Sequence, residues 1–266
     1  MNRNGPLALA FHTLFVIFTA APILIVCLVA FTPEGYLSLP TRGFSLRWFR
    51  AIADYPEFIQ AFKDSLLLAT IASSLSIAIA VPAALAISRY QFPGRDAMSA
   101  LFMAPLMVPQ VVLGIAFLRF FSEIGLSGRF VGLVIAHVIV ITPFALRLVL
   151  AASFGIDQRI EHAAISLGAG PATVFRRITL SLILPGIVSG WVLAFISSFD
   201  EVTMTVFIAS PQTTTLPVRL LIQIQDNLDP LVASVSATLI VLTSIFLVVL
   251  DRLYGLDRLF LGQPKH

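Results

Sequence analysis

Long apolar segments separated by short polar ones dominate the pattern of this chain. A helix needs about 20 mostly apolar residues to cross the hydrocarbon core of a bilayer. Six segments approach that length: 7–31, 66–88, 98–121, 130–152, 181–209 and 231–250. The pattern therefore predicts an all-α integral membrane protein, with six transmembrane helices in a single domain over residues 1–266.

Two prolines interrupt the third predicted span. Pro105 and Pro109 lie in the segment 98–121, and a proline inside a helix removes a hydrogen bond and kinks or breaks the helix. Backbone carbonyls released in this way are tolerated in a membrane where they line a water-filled cavity. Gln110, which directly follows the second proline, is therefore a candidate residue of a solute path.

Composition agrees with a membrane protein. Hydrophobic residues make up 58% of the chain and charged residues 12%, and the mean hydropathy is +0.96, whereas soluble domains carry roughly 25% charged residues. The net charge of +3 comes with no basic cluster dense enough to follow a phosphate backbone, so nucleic acid is not an expected partner. Cys27 is the single cysteine, so the chain predicts neither an internal disulfide nor a cysteine-based metal site.

Lysine and arginine positions predict the orientation. With the N-terminus inside, ten of the 17 basic residues fall on the inner side, Arg3, Arg258 and Lys265 among them, and seven on the outer side. Short loops show the bias more clearly, because one carries Arg89 and Arg95 and another carries Arg176 and Arg177. Cytoplasmic loops are enriched in Lys and Arg, so we expect both termini in the cytoplasm.

Recognisable catalytic motifs are missing. A phosphate-binding loop needs Gly-Lys-Ser/Thr, but the two lysines, Lys63 and Lys265, follow Phe62 and Pro264. We therefore expect no enzymatic activity and no cofactor or metal in this chain. His12 and His137 are lone histidines within spans, and we expect hydrogen bonding between helices from them rather than metal ligation.

A patterned loop connects the fourth and fifth predicted spans. Asp157 is a suitable N-cap for a short helix over 159–167, and Gly168 and Gly170 permit a sharp exit turn. Pro171 then suits the first turn of the next helix. This segment, 157–178, predicts a cytoplasmic loop built to contact a soluble partner.

The sequence EHAAISLGAGPATVFRRITLSLILPGI, which begins at Glu161, resembles the EAA loop in permease subunits of ATP-binding-cassette (ABC) importers. Alignment on Gly168 places Ala163 and Ala164 on the two alanines of the motif. Two departures stand out: Ser181 replaces the closing proline, and His162 occupies the position of the motif glutamate, with Glu161 one residue earlier. The segment SSFDEVTMTVFIASPQTTTLPVRL is similar to the fifth-span region of the polyamine-type permeases.

This resemblance implies a type I importer in a bacterial inner membrane. Its partners would be a second permease subunit, two ATPase subunits that bind ATP and Mg²⁺, and a periplasmic solute-binding protein. The residues that it assigns to ATPase coupling are Glu161, His162, Ala163, Ala164, Gly168, Arg176 and Arg177. Either Glu161 or His162 then takes over the docking role of the motif glutamate, and Arg176 and Arg177 either touch the ATPase or simply mark the inner face.

Asp200 and Glu201 lie inside the predicted fifth span. A charge at the centre of a span costs about 2.5–3.5 kcal/mol on insertion scales, so it indicates a functional site. On a continuous helix, Ser197, Glu201 and Thr205 would share one face. These side chains, with Asp200, Phe199 and Gln110, are our candidates for the path of a cationic solute. The alternatives are contact with a partner subunit and a merely interfacial position.

The sequence therefore favours a permease subunit of an importer for a polyamine or related amine. An alternative is a self-contained, proton-coupled secondary transporter that uses Asp200 and Glu201, but this leaves the loop 157–185 without a purpose. A membrane scaffold explains the loop and leaves the acidic pair unexplained.

Overall fold

The computed structural model describes residues 5–254, and this part of the chain is helical with no β-strand. The basic residues Arg3, Arg258 and Lys265, which contributed to the predicted orientation, lie outside the described residues. The α-helices are α1 (Pro6–Val29), α2 (Arg47–Ala51), α3 (Pro56–Arg89), α4 (Arg95–Met103), α5 (Gln110–Glu123), α6 (Phe130–Phe154), α7 (Gln158–Ser166), α8 (Pro171–Val174), α9 (Leu180–Phe199), α10 (Thr205–Ile208), α11 (Leu216–Asp226) and α12 (Pro230–Tyr254).

Among the described residues, five helical segments are long and apolar enough to cross a membrane, and a bent pair of helices can supply a sixth. The five are Leu7–Val29, Pro56–Arg89, Phe130–Phe154, Pro171–Phe199 and Pro230–Val249. The prediction of an all-α protein with up to six spans is confirmed. Two helical segments differ in extent from the predicted spans, since the second begins at Pro56, before the predicted 66–88, and the fifth runs over Pro171–Phe199, where 181–209 was predicted.

The third predicted span is the bent pair. Helix α4 passes through a short 3₁₀ turn at Ala104–Leu106, and the chain then continues into α5 after a 97° bend. Pro105 lies in that turn and Pro109 directly precedes α5, so the predicted kink is a complete break. It places Gln110, an exposed residue, at the first position of α5.

The described part of the chain divides into two compact units, one of residues 61–218 with 250–254 and one of residues 5–60 with 219–249. The boundaries between them fall within helices, and the single domain over 1–266 stays a prediction. In the first unit, α3, α6 and α9 share a core of small and branched side chains. Its fully buried members include Ala72, Ala80, Ala84, Ile141, Ala145, Leu146, Ile183 and Ala194.

Two glycines allow α9 to approach α6 closely. A Cβ atom at Gly190 would lie 3.2 Å from the carbonyl oxygen of Ala145, and one at Gly186 would lie 2.9 Å from that of Leu148. Small residues at helix interfaces let membrane helices pack backbone to backbone, which replaces the hydrophobic driving force that lipid does not supply. Residues 180–199 are therefore fixed on α6, and the ends of α9 are positioned by that contact.

The other unit joins the end of α1 to α12. Val29 and Ala30 pack against Ala233 and Ala237, and the Ser234 hydroxyl donates to the carbonyl of Ala30 at 3.1 Å. Within the same unit, Arg219 pairs with Glu57 at 3.0 Å. Exposed apolar side chains cover most of α1, as expected of a lipid-facing helix.

Candidate functional site

Helix α7 is bounded by the residues that the sequence singled out. The side chain of Asp157 accepts a hydrogen bond from the backbone N–H of Arg159 at 2.9 Å, so the predicted N-cap is confirmed. At the other end Gly168 has φ +87°. The N–H of Gly168 bonds the carbonyl of Ile165, and the N–H of Ala169 bonds that of Ala164. This pair of bonds is a Schellman motif, which favours glycine because of its left-handed residue.

The two adjacent docking candidates point to different surroundings. Glu161 Oε1 lies 2.5 Å from Arg89 Nη2 and accepts a further bond from the hydroxyl of Thr179. Its side chain is 12% exposed, whereas His162 is exposed. Burial raises the pKa of Glu161, but the bonds from Thr179 and Arg89 and the nearby positive charges outweigh it, so the pKa lies below its usual value.

The remaining residues of the predicted coupling loop surround this helix. Ala163 and Gly168 are exposed and Ala164 is half-buried. Arg176 and Arg177 lie exposed on a π-helical segment, Phe175–Thr179, that joins α8 to α9. Short π segments inside α-helices occur frequently at functional sites. The seven predicted coupling residues therefore lie on α7, in the turn that follows it and on the π segment before α9.

The end of the fifth span differs from the prediction. Helix α9 ends at Phe199, and α10 begins at Thr205. The expected shared face of Ser197, Glu201 and Thr205 on a continuous helix is therefore wrong. Apolar residues on both sides concealed the break, although an acidic residue a few positions before a short helix is a signal for a new helix start.

Glu201 binds the start of α10. Its Oε1 accepts from the N–H of Met204 and its Oε2 from the N–H of Thr205, both at 2.8 Å, and Oε2 also accepts from the Thr205 hydroxyl. The residue is 6% exposed. Its two oxygens thus satisfy backbone donors that a helix start leaves without partners. Asp200, by contrast, is exposed at the C-terminal end of α9.

A buried polar network extends from this carboxylate to α6. His137 Nδ1 lies 2.8 Å from Ser198 Oγ, and His137 Nε2 lies 3.0 Å from Thr205 Oγ1. Because the Thr205 hydroxyl donates its single hydrogen to Glu201, Nε2 of His137 donates to Thr205, and in a neutral imidazole Nδ1 then accepts from Ser198. The expected role of His137 as a hydrogen-bonding residue between helices is confirmed. Its partners, 61 and 68 residues away, gave no sequence signal.

We expect His137→Ala to lower the thermal stability of the protein. The substitution leaves the buried hydroxyls of Ser198 and Thr205 without a ring partner, at a cost of about 1–3 kcal/mol for unsatisfied buried groups. The matched control is His12→Ala, since His12 is exposed on α1. Thermal unfolding of both variants in the same detergent measures the difference, and equal midpoints would contradict a structural role for the network.

An aromatic ladder follows one side of α9. Trp191 stacks on Phe195 with ring centroids 5.2 Å apart, and Phe195 stacks on Phe199 at 6.1 Å. Phe62 meets Phe199 edge-on at 6.1 Å, and the Trp191 indole donates to Ser74. The ladder ends beside Asp200. Ser197 is half-buried near the same end of the helix, and Gln110 lies on α5.

These features define the class of the molecule: a multi-pass membrane protein with a short helix exposed between two spans. Residues 76–256 match the family described as "Binding-protein-dependent transport system inner membrane component". The chain belongs to this family and is a permease subunit of the ABC importer class.

Individual relatives and solved structures agree with this assignment. The chain is 33% identical over 232 residues, 87% of its length and 90% of the relative's, to the spermidine/putrescine transport system permease protein PotC of Haemophilus influenzae. It is 29% identical over 220 residues, 80% of its length and 78% of the relative's, to the putrescine permease PotI of Escherichia coli K12. A crystal structure of a bacterial ABC transporter for alginate import matches with a TM-score of 0.75 at 16% identity, over 96% of this chain and 99% of that one.

Proposed function

We propose that this chain is one of two permease subunits in an importer for a polyamine or a related small amine. The observation that carries the solute class is the similarity to PotC and PotI over most of the chain. We further propose that a second, different permease completes the path and that a periplasmic binding protein delivers the solute. Two partner ATPases would bind ATP and Mg²⁺, and this chain would hold no cofactor.

Helix α7 is the proposed contact with an ATPase. It carries exposed Ile160 and Ile165 and is followed by Leu167, which is 89% exposed. Apolar side chains on a short polar helix have no lipid to face if the loop lies in the cytoplasm, so they are suited to a cleft in a soluble protein. With this loop in the cytoplasm, we propose that the N- and C-termini also lie on the cytoplasmic side of an inner membrane.

Asp200 is our preferred acidic residue of the solute path, in place of Glu201. Glu201 is buried and its oxygens are taken up by α10. Asp200 lies at the C-terminus of α9, where the partial negative charge of the helix disfavours a carboxylate. The carboxylate and the helix end together attract a cation, as the C-terminal ends of broken helices do in transporters. The rings of Phe199 and Phe62 add faces for cation–π contact. Ser197 and Gln110 remain proposed path residues.

The test is uptake by the complex reconstituted in vesicles. We expect ATP-dependent accumulation of spermidine or putrescine, and no ATP hydrolysis by this chain purified alone. Sulfate belongs in the same panel, because a sulfate permease of Salmonella typhimurium is 27% identical over 248 residues. Accumulation of sulfate without amine would overturn the proposed solute class. Uptake by this chain alone under a proton gradient would overturn the need for partner ATPases.

A further inference from the structure

A partly buried contact that the proposed function does not use links α3, α7 and the π segment before α9. Arg89 is the last residue of α3, Glu161 lies in the first turn of α7, and Thr179 is the last residue of the π segment before α9. Glu161 Oε1 accepts from both others, across 72 and 18 residues of sequence. We call these three residues the Arg89–Glu161–Thr179 junction.

We propose that this junction is an internal strut, through which a displacement of α7 moves the ends of α3 and α9. Glu161 then acts inside this chain and His162 is left for the partner. The proposal rests on the proposed function, since it assumes that an ATPase displaces α7.

Burial and charge make the junction rigid. The side chains of Arg89 and Glu161 are 21% and 12% exposed, and Thr179 is buried. Charge-assisted hydrogen bonds are stronger than neutral ones, and limited solvent access reduces their screening. Both charges also suit their helix ends, because a cation is favoured at the C-terminus of α3 and an anion at the N-terminus of α7.

The junction joins helices that are distant along the chain. Helix α7 follows α6 directly along the chain and leads to α9 through α8. Helix α3 lies far from α7 in sequence, and the ion pair of Arg89 with Glu161 joins the two. A displaced α7 can therefore pull on α3 without a covalent connection.

Thr179, the third residue of the junction, lies where the helix is irregular. The π segment Phe175–Thr179 changes the helical register directly before α9, and such segments are known sites of local adjustment in helices. A hydrogen bond to Thr179 therefore fixes the register in the observed state. Loss of this hydrogen bond would change the register of α9, which packs on α6.

The adjacent residues Glu161 and His162 have different roles in this proposal. Residues one apart on a helix point about 100° from each other, so Glu161 turns to Arg89 while His162 is exposed. This predicts opposite phenotypes. Variants of the junction keep the ATPase bound and lose coupling, whereas His162→Ala weakens binding of the ATPase.

The experiment uses the whole complex in vesicles and measures three quantities: copurified ATPase subunit, ATP hydrolysis, and solute imported. The junction variants are Glu161→Gln, Arg89→Gln and Thr179→Val, which removes a hydroxyl at similar size. The matched control is Glu123→Gln, which breaks the exposed ion pair of Arg119 with Glu123, 2.7 Å apart on α5. We expect the control to behave as wild type.

For the junction variants we expect normal amounts of ATPase subunit but about tenfold less solute imported per ATP, equivalent to about 1.4 kcal/mol of lost coupling. The double exchange Arg89→Glu with Glu161→Arg should restore part of the coupling, because it restores the ion pair.

Two results would overturn the proposal. One is loss of the ATPase subunit from Glu161→Gln but not from Arg89→Gln or Thr179→Val, which would make Glu161 a docking residue. The other is a wild-type import ratio in all three variants. Failure of the wild-type chain to bind any ATPase would instead overturn the proposed function. If Glu161→Gln or Arg89→Gln does not accumulate in the membrane, the result for Thr179→Val, which keeps both charges, decides between these outcomes.

Discussion

Gly168→Val should abolish most ATP-driven uptake while the protein still inserts into the membrane. The residue has φ +87°, and the left-handed conformation costs an L-residue about 1–2 kcal/mol, with β-branched side chains at a further disadvantage. A Cβ atom at this position would meet nothing within 4 Å, so the effect is conformational rather than steric. Loss of the Schellman bonds would redirect the chain between α7 and α8, and α7 would no longer present the same face.

The matched control is Gly170→Ala. Gly170 has φ −70°, an ordinary value for any residue, and open space around its added Cβ. Uptake in vesicles and solute-stimulated ATP hydrolysis should both fall at least about tenfold in Gly168→Val, equivalent to about 1.4 kcal/mol, and stay near wild type in Gly170→Ala. Equal uptake in the two variants would show that the turn at Gly168 has no part in coupling.

Asp200→Asn and Glu201→Gln should separate solute attraction from protein stability. Glu201→Gln replaces one acceptor oxygen with an amide NH₂ that faces a backbone N–H of α10 or the Thr205 hydroxyl. An unsatisfied buried group costs about 1–3 kcal/mol, so we expect a lower melting temperature and less assembled complex. Uptake per assembled complex should change little.

Asp200→Asn should have the opposite effects on stability and on uptake. Removing a carboxylate from a helix C-terminus stabilises by about 0.3–1 kcal/mol, so the melting temperature should stay equal or rise. The attraction of a carboxylate for an amine in a partly watered cavity is on the order of 1–3 kcal/mol, which is about a ten- to hundredfold effect on occupancy. Amine uptake per complex should therefore fall.

Asp226→Asn is the matched control for this pair. Asp226 is also an exposed aspartate at a helix C-terminus, that of α11, so its replacement should give the same small stabilisation without loss of uptake. Equal, wild-type uptake in Asp200→Asn and Glu201→Gln would remove the acidic pair from the solute path.

Features with a local cause followed from the sequence alone. The apolar segments determined the spans, because a bilayer requires about 20 apolar residues from each. The limits of α7 followed from Asp157, Gly168 and Pro171, since caps and left-handed turns are decided by residues only a few positions apart. Pro105 and Pro109 likewise gave the position of the break before α5, although not its 97° angle.

Features that depend on distant residues were decided by the tertiary structure. No pattern near Glu161 points to Arg89, and none near His137 points to Ser198, because each partner is more than 60 residues away. The end of α9 at Phe199 was missed for a related reason: apolar residues lie on both sides of the acidic pair, and hydropathy averaged over a whole segment does not distinguish one long helix from two. The sequence therefore specified a permease with a short helix between its fourth and fifth predicted spans. Packing of α3, α6 and α9 decided that Glu161 turns inward and that Asp200, rather than Glu201, is exposed.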